Sequence, residues 1–409
     1  MSLLTLAWRS IWRNRRRTLI TVSSIGLGLF LAVCFIAFAD GIYAKLIDDA
    51  VRIQAGHLIL EHPAYRDAPA TDLVVQVDVA LRRRLEGLPE VERTKALVLG
   101  QGVAKSAAGA VGVALLGVEP AVEVHSSPLA ARVEQGSYLD DPDAAEVLIG
   151  AQLAAQLELT PGKKLVLATN DVHGDLVEEL ARVKGVFRLG AEEFDGFFVQ
   201  VPIGFARRLY GLGPGQATQL GVLLRDADDQ PAMQPRLAQW VDPRQVVVRG
   251  WDEVMPELAS YIRVDGGSNY VLQVILLVLI FFTIFNTLLM SVLERRREFA
   301  VLLALGTPPA RLRLQILAES ALIGLLGCLV GLSLGAAVAG YYQVHGLDLR
   351  SLMPEGATIS GFAMSLLVHP RLTLELLAWL GGLVFGVTLL LGLYPMQRAT
   401  QVPVADVLR

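Results

Sequence analysis

The sequence has few cysteines, the residues whose disulfides stabilise many small exported domains. It contains two cysteines in 409 residues, Cys34 and Cys328. Both fall inside long apolar runs, so any exported part of the chain has to be held by its core and not by disulfides. This placement also does not favour a metal or redox role for the pair.

Motifs for nucleotide hydrolysis and covalent catalysis are missing as well. No Gly-x-x-x-x-Gly-Lys-Ser/Thr loop occurs, and the nearest candidate, at residues 160–163, lacks the first glycine and the hydroxyl. Neither a nucleophile elbow nor a His-Glu-x-x-His motif is present. We therefore expect the chain not to be an enzyme and to hold no cofactor or metal of its own. Any energy that drives its function should then come from a partner protein.

Charged residues are scarce, at 19% of the chain, whereas 53% is hydrophobic and the mean hydropathy is +0.48. This is too apolar for an ordinary soluble enzyme. Uncharged runs of roughly the 20 residues needed to cross a bilayer occur at 18–39, 268–293, 320–347 and 376–397. The sequence thus predicts a membrane protein with four transmembrane α-helices and a large domain inserted between the first two.

The positive charges are unevenly distributed along the chain. Arginines cluster before the first apolar run and between the second and the third, at Arg9, Arg13, Arg15, Arg16, Arg17, Arg295, Arg296, Arg297, Arg311 and Arg313. Short loops rich in Lys and Arg stay in the cytoplasm, so we expect both termini and the 294–313 loop inside and the inserted domain outside. The net charge of −4 does not suggest a nucleic-acid partner.

The N-terminal segment favours a helix at the membrane surface. Leu4, Trp8, Ile11 and Trp12 share one side of that helix, opposite Arg9, Arg13 and Arg16, which would then lie among lipid phosphates. A signal peptide is the alternative, because Ala37-Phe38-Ala39 imitates a cleavage site. The apolar run is longer than the roughly 7–15 residues of a signal h-region, so an uncleaved anchor is favoured.

A charged helix with a Gly/Pro break is predicted between the second and third runs. Phe299, Leu302 and Leu303 fall at helical spacing opposite Arg295, Arg296 and Glu298, so this helix should lie along a surface. Gly306 suits a helix C′ position, and Thr307 followed by Pro308 should start the next helix. The segment is therefore expected to be a stiff lever joining two spans.

Three stretches carry a resemblance to a known family. The run 294–320 (ERRREFAVLLALGTPPARLRLQILAES) resembles the coupling-helix segment of permeases of the FtsX/MacB superfamily of ABC transporters, with Phe299 where that family commonly has Ile. The run 39–63 is similar to the start of its lipoprotein-releasing LolC/LolE branch. The C-terminal run 393–409 resembles the closing signature of the family at Tyr394, Pro395, Arg398, Ala399, Pro403, Leu408 and Arg409, from which Met396 and Asp406 depart.

The resemblance implies a mechanotransmission permease of the cell inner membrane, paired with a second copy or a paralogue. It also implies a dimer of ABC ATPase subunits, which would hold the ATP and Mg, and possible contact with a periplasmic carrier or adaptor and with membrane lipids. The ATPases would dock on Glu294, Arg295, Arg296, Arg297, Glu298, Phe299, Leu302, Leu305 and Gly306. Acyl chains would be gripped between the first two spans, with Phe35, Phe38, Leu276 and Phe281 as candidate lining residues; ordinary lipid contact is the alternative for these four.

These arguments divide the chain into nine segments. They are 1–17, a cytoplasmic interfacial helix; 18–54, transmembrane helix 1 with a stalk; 55–265, the extracytoplasmic domain; 266–293, transmembrane helix 2; 294–313, the coupling helix and turn; 314–347, transmembrane helix 3; 348–373, a short extracytoplasmic loop; 374–397, transmembrane helix 4; and 398–409, a cytoplasmic tail. The 55–265 domain is expected to contain two small α+β lobes, resembling the family's Porter-type subdomain, around a β-rich insertion.

Several polar and small residues in these segments allow two interpretations. Gly327, Gly331 and Gly335, at four-residue spacing, favour a close helix–helix contact within the subunit or against its partner. Glu319 either pairs with Arg311, Arg313 or an N-terminal arginine, or marks a functional polar site. Glu192, Glu193 and Asp195 could form a carboxylate cluster, but with no His or Cys at ligand spacing a solvated loop is favoured.

Three functions remain open at this point. The first is extraction of lipoproteins or related lipidated cargo from the outer leaflet of the inner membrane. The second is a tripartite efflux permease of the macrolide-exporter kind, acting on amphipathic compounds or peptides. The third is a non-transporting transmitter that activates a cell-wall hydrolase, which the size of the 55–265 domain disfavours.

Overall fold

The computed structural model describes residues 3–13, 15–190, 192–348, 358–359, 362–363 and 367–400. The chain divides into two compact units. The first, called the membrane unit here, takes its described residues from Met1–Tyr43, Arg263–Asp348 and Leu367–Arg409. The second, the inserted domain, takes them from Ala44–Ile262 and Leu349–Leu366.

The helices and strands follow one another along the whole described chain. The helices are α1 (Leu3–Arg13), α2 (Arg15–Ile53), α3 (Val79–Glu86), α4 (Pro120–Ser126), α5 (Ala151–Gln156), α6 (Glu192–Phe197), α7 (Ile203–Tyr210), α8 (Gln230–Ala238), α9 (Trp251–Val254), α10 (Pro256–Glu294), α11 (Arg296–Ala304), α12 (Pro309–His345) and α13 (Leu374–Thr400). The strands are β1 (Leu58–Glu61), β2 (Val75–Gln76), β3 (Val91–Lys105), β4 (Ala110–Val118), β5 (Val133–Gly136), β6 (Glu146–Gly150), β7 (Lys164–Asn170), β8 (Leu176–Phe187), β9 (Phe198–Pro202), β10 (Gln216–Ala217), β11 (Gln219–Leu224), β12 (Val247–Gly250), β13 (Leu347–Asp348), β14 (Thr358–Ile359), β15 (Phe362–Ala363) and β16 (Leu367–Val368).

The four apolar helices that the sequence predicts are present. Stretches long and apolar enough to cross a bilayer are Thr18–Ile53, Pro256–Glu294, Pro309–His345 and Leu374–Gln397. Helix α10 begins ten residues before the segment boundary at 266, and α12 begins five residues before the boundary at 314, because both helices continue through polar residues beyond the apolar run. Most of the predicted 348–373 loop and the 401–409 part of the tail lie outside the described residues.

The four helices share one apolar core in the membrane unit. It contains Ile25 and Leu29 of α2, Ile284 of α10, Cys328 of α12 and Val384 of α13, each at most 5% exposed. Outside this core, large apolar side chains such as Phe282 (70% exposed) face away from the protein. Such a surface fits lipid and not water as the surrounding solvent.

The predicted glycine face of α12 lies against α2 within the subunit. An added Cβ at Gly331 would come within 2.7 Å of the carbonyl oxygen of Gly26, and one at Gly335 within 2.8 Å of Val33 Cβ. At Gly327 the same atom would meet Ile25 at 2.6 Å. Glycine is therefore needed at these three positions for the two backbones to approach this closely.

The turn between α11 and α12 is built by local signals, with one shift from the predicted register. Gly306 has φ +87°, and the N–H groups of Gly306 and Thr307 donate to the carbonyls of Leu303 and Leu302, which completes a Schellman cap. The next helix starts one residue later than predicted, with Pro308 as its N-cap and Pro309 in its first turn. A residue that precedes proline is pushed into extended backbone, so Pro308 itself cannot be helical.

The inserted domain is organised by one large sheet. Its strands lie in the order β12-β1-β11-β3-β4-β9-β6-β8-β5, and β7 pairs with β3 and β8. Strand β1 is antiparallel to both β11 and β12, with Leu58 opposite Val222 and Gly250. Strands from the start of the domain (β1 and β3) and from its end (β11 and β12) thus lie side by side in the same sheet.

Both faces of this sheet are covered, so its central strands are apolar throughout. Leu58 and Leu60 of β1 pack with Leu85 of α3 and Met233 of α8 on one face. Ile59, the residue between them, joins a second core on the other face. Because successive side chains point to opposite faces, a strand buried on both sides loses the apolar/polar alternation.

Several charged groups are buried inside the inserted domain. Lys95 and Glu123 are each 1% exposed, with Nζ 3.5 Å from Oε2, and Lys95 Nζ also donates to the Arg52 carbonyl at 2.7 Å. Asp195 is 3% exposed and accepts the N–H groups of Leu189 and Gly190 at 2.9 and 3.1 Å. The expected solvated loop is therefore wrong for Asp195, whose carboxylate holds a buried turn.

Candidate functional site

A series of ion pairs connects α1, α11 and α12 of the membrane unit. Arg13 of α1 donates to both oxygens of Glu298 at 2.5 and 2.6 Å. Arg295 bonds Glu298 at 3.1 Å and Glu319 of α12 at 2.8 Å. We call Arg13, Glu298, Arg295 and Glu319 the charge ladder. Two expectations are corrected by this arrangement. Glu319 pairs with Arg295, which was not among its predicted partners, and Arg13, which was expected among lipid phosphates, contacts the Glu298 carboxylate.

The four residues of the charge ladder line a polar cavity of about 320 Å³. Its lining also contains Ser10, Thr18, Thr21 and Ser291. The hydrogen bond from Arg13 lowers the pKa of the Glu298 carboxyl, so Glu298 stays ionised at neutral pH. Its side chain is 45% exposed, as against 11% for Glu319. The ladder therefore runs from the surface into the interior of the helix bundle.

Phe299 anchors α11 to the spans behind it. It is 1% exposed and packs with Val292, Leu312 and Ile316, while Leu302 and Leu303 cover the edge of this cluster. Phe299 thus holds the helix in place and is not accessible to a docking protein. The other face of α11 points outward, and there Val301 is 43% and Leu305 78% exposed.

The nine predicted coupling residues therefore fall into two groups. Phe299, Leu302 and Arg295 face the bundle, whereas the rest are exposed: Glu294, Arg296, Arg297, Glu298, Leu305 and Gly306. Val301 belongs with the exposed group but was not predicted. Its spacing of four residues from Leu305 was a usable signal for a shared outward face.

A second site is a cavity of about 530 Å³ beside α2 and α10, which opens at the surface of the membrane unit. Three of the four predicted lining residues, Phe35, Phe38 and Leu276, border it. Phe281 packs against the four-helix core and is not among the residues that line the cavity. The remaining wall is formed by Leu31, Cys34, Ala39, Ile42, Tyr43, Asp265 and Asn269.

The polar residues of this wall were missed by the sequence analysis. Tyr43 and Asp265 are separated by 222 positions, yet they are hydrogen-bonded. Asp265 and Asn269 lie one helical turn apart on α10. This spacing predicts that they share a face of the helix, but it does not indicate which residues that face contacts. No group of three or more His, Cys, Asp or Glu side chains that could hold a metal is found in the described ranges.

Two family models match the chain. The MacB-like periplasmic core domain matches residues 18–240, which is more than half of the chain, and the FtsX-like permease C-terminal model matches residues 270–404. Together they cover most of the inserted domain and all or most of each of the four apolar helices. Their order agrees with an architecture in which the large domain lies between the first and second spans.

Curated relatives match nearly the whole chain. A lipoprotein-releasing system transmembrane protein LolC from Neisseria meningitidis serogroup B is 21% identical over 96% of this chain and 94% of its own length. The corresponding LolE from Haemophilus influenzae is 23% identical over 98% of both chains. A macrolide export ATP-binding/permease protein MacB from Burkholderia lata is 24% identical over 88% of this chain but 53% of its own. The four apolar helices, the domain inserted between the first two and the two family matches together show that this chain belongs to the FtsX/MacB-like family of ABC transporter permeases.

Proposed function

We propose that this permease transmits ATP-driven motion from a separate ATPase to its inserted domain, and that it uses this motion to extract lipoproteins or related lipidated cargo from the outer leaflet of the inner membrane. The observation that carries the first part is the outward face of α11. The observation that carries the second is the apolar cavity beside α2 and α10, in a chain similar to LolC and LolE along nearly its full length.

The case for a separate ATPase rests on the sequence and on one relative. No Walker A loop occurs in these 409 residues. The relative named ATP-binding/permease protein is matched over about half of its length, as expected if the nucleotide-binding half has its counterpart in another chain. ATP and Mg would then be held by that subunit, and a dimer of such subunits would serve two permease copies.

Docking is assigned to the exposed face of α11. Leu305 and Val301 are apolar and exposed, and the preceding turn of the same helix carries the exposed Arg296, Arg297 and Glu298. A small apolar patch rimmed by charges is typical of a protein–protein contact. The charge ladder and the buried Phe299 would pass displacement of α11 to α1 and α12, because these contacts leave the helix little freedom to move alone.

The orientation follows from the arginine distribution. Both termini and α11 would lie in the cytoplasm and the inserted domain in the periplasm. Helices α2 and α10 each run for 39 residues without a break in hydrogen bonding. Continuous helices of this length are suited to carrying a displacement across the bilayer.

The second candidate is an efflux permease for amphipathic compounds or peptides, favoured by the match to the MacB-like periplasmic core domain. Mass spectrometry of lipids and lipoproteins that co-purify with the permease and a candidate ATPase separates the two. Lipidated proteins retained without ATP and released with it support extraction. Retention of small amphiphiles alone supports efflux.

Docking is tested by a pair of matched variants. Leu305→Asp should abolish co-purification of the ATPase and cargo-stimulated ATP hydrolysis in proteoliposomes, because it places a charge in an apolar contact. Val344→Asp is the control, since Val344 is also 78% exposed but lies at the far end of α12. Equal loss, or equal retention, in both variants would contradict docking on α11.

A further inference from the structure

A hydrogen-bonded triad forms the polar part of the 530 Å³ cavity. The Tyr43 hydroxyl donates to Asp265 Oδ2 at 2.5 Å, and Asn269 Nδ2 donates to the Tyr43 oxygen at 2.5 Å and to Asp265 Oδ2 at 3.5 Å. The other residues that line the cavity are apolar or weakly polar. An apolar wall with a few convergent polar groups is the usual composition of a small-molecule site.

The triad offers acceptors and negative charge to whatever occupies the cavity. Its donors, the Tyr43 hydroxyl and the Asn269 amide, are directed at partners within the triad. The Asp265 carboxylate accepts hydrogen bonds only. Among the described residues that line the cavity there is no Lys, Arg or His, so Asp265 is the charged group of this lining.

This chemistry separates two kinds of amphiphile. A phosphate headgroup at the polar end would meet the carboxylate at short range, and like charges at such distances repel strongly where water is partly excluded. An amide N–H or an ammonium group would instead find an acceptor, and hydrogen bonds to a charged partner are the stronger class. The apolar wall takes acyl chains in either case, so discrimination falls to the triad.

We propose that Tyr43, Asp265 and Asn269 form a specificity filter that admits acyl chains attached to a hydrogen-bond donor, as at the acylated N-terminus of a lipid-modified polypeptide, and rejects anionic phospholipid. This inference rests on the proposed function, since it assigns the cavity to the cargo. Asp265 is the discriminating group, Tyr43 orients its carboxylate, and Asn269 holds the Tyr43 hydroxyl in place.

The test uses the full chain in nanodiscs, with a fluorescent triacylated lipopeptide as probe and phosphatidylglycerol as competitor. Asp265→Asn keeps the side-chain shape but removes the charge. It should weaken lipopeptide binding about tenfold and make phosphatidylglycerol a better competitor by a similar factor. Tyr43→Phe leaves the carboxylate in place and should change the lipopeptide-to-phospholipid ratio less than threefold.

Glu257→Gln is the matched control, because Glu257 is an exposed carboxylate of the same helix and does not line the cavity. It should reproduce the native ratio. If the triad only tied α2 to α10, Asp265→Asn and Tyr43→Phe would lower stability together and leave the ratio at its native value. That result overturns the filter.

Leu276→Trp distinguishes failure of the filter from failure of the proposed function. The larger side chain should fill the cavity and reduce lipopeptide binding severalfold. If Leu276→Trp reduces binding while Asp265→Asn leaves the ratio unchanged, the cavity binds cargo without a filter. If the native chain shows no saturable binding of the lipopeptide, the proposed cargo is wrong and the filter falls with it.

Discussion

Lys95 in the inserted domain is 1% exposed, whereas Phe282 in the membrane unit is 70% exposed. In water an exposed phenyl ring and a buried ammonium group would both be unfavourable. Burial of Lys95 is tolerated because Glu123 and the Arg52 carbonyl are its partners, and exposure of Phe282 is tolerated because its surroundings are lipid and not water. The difference indicates that the inserted domain depends on keeping its buried charges paired, whereas the membrane unit depends on the close approach of its helix backbones.

The largest effect should come from breaking the buried ion pair of the inserted domain. Lys95→Met would leave Glu123 buried without its partner, although burial raises the pKa of Glu123 and so allows partial relief by protonation. We expect a loss of about 3–5 kcal/mol in unfolding free energy, measured on the full chain in detergent.

The matched test of this prediction is the double variant Lys95→Met with Glu123→Leu. Removing both charges replaces the pair by apolar groups, so most of the lost stability should return. If the double variant is as unstable as the single one, the effect comes from altered packing and not from the unpaired charge.

The inserted domain should also lose stability in acid through His57. This side chain is 2% exposed, burial lowers its pKa to about 4, and its Nδ1 accepts the N–H of Leu224 at 3.2 Å. The unfolded state therefore binds more protons between roughly pH 4 and 6.5. Stability contributed by neutral His57 is present above about pH 6.5 and should fall by about 2 kcal/mol on going to pH 5.

Unfolding curves at pH 7.5 and pH 5 check this, with His57→Gln and His173→Gln compared. His173 is exposed, so its replacement should leave the pH dependence unchanged, whereas His57→Gln should flatten it. An unchanged slope in His57→Gln would assign the acid sensitivity to other groups.

The membrane unit should respond instead to added volume. Gly331→Ala would place a methyl group 2.7 Å from the Gly26 carbonyl oxygen, at a packing cost of about 1–3 kcal/mol. The higher helix propensity of alanine offsets about 1 kcal/mol of this cost. The net loss in the free energy of unfolding should therefore be about 1 kcal/mol. Gly382→Ala is the control, because a Cβ there meets nothing within 4 Å; equal effects in the two variants would argue against tight α2–α12 contact.

The smallest effect on stability, and a large one on function, is expected at Glu298. Exposed ion pairs contribute about 0–1 kcal/mol, so Glu298→Gln should barely change the melting temperature. It should nevertheless reduce cargo-stimulated ATP hydrolysis severalfold, because it disconnects Arg13 from Arg295. Arg297→Gln, which removes an exposed charge outside the ladder, should reduce it less, and the opposite ranking would contradict the ladder.

Features set by neighbouring residues were predictable from the sequence. Gly306 was placed correctly at the end of α11, because a left-handed residue after a helix favours glycine whatever surrounds it. The four apolar helices were also predictable, since bilayer thickness imposes their length. The start of α12 was misplaced by one residue because two successive prolines offered two possible first turns, and the restriction on the residue before proline decides between them.

Features that depend on distant pairing were not predictable. The position of β1 between β11 and β12 joins residues more than 150 positions apart, and a strand buried on both faces carries no pattern that names its neighbours. The Tyr43–Asp265 contact and the Arg13–Glu298 ion pair are of the same kind, with 222 and 285 positions between the partners. The residue types in these sites were visible in the sequence, but their partners were fixed only by the fold.

The most direct test of the whole account is the side of the membrane on which each unit lies. Single cysteines at Leu176 of the inserted domain (69% exposed) and at Leu305 of α11 (78% exposed), in a chain with Cys34 and Cys328 replaced by alanine, can be labelled with a membrane-impermeant maleimide in cells whose outer membrane is permeabilised. The account predicts that Leu176→Cys is labelled in these cells and that Leu305→Cys is labelled only after the inner membrane is broken. The reverse pattern, or both positions labelled from one side, would contradict it.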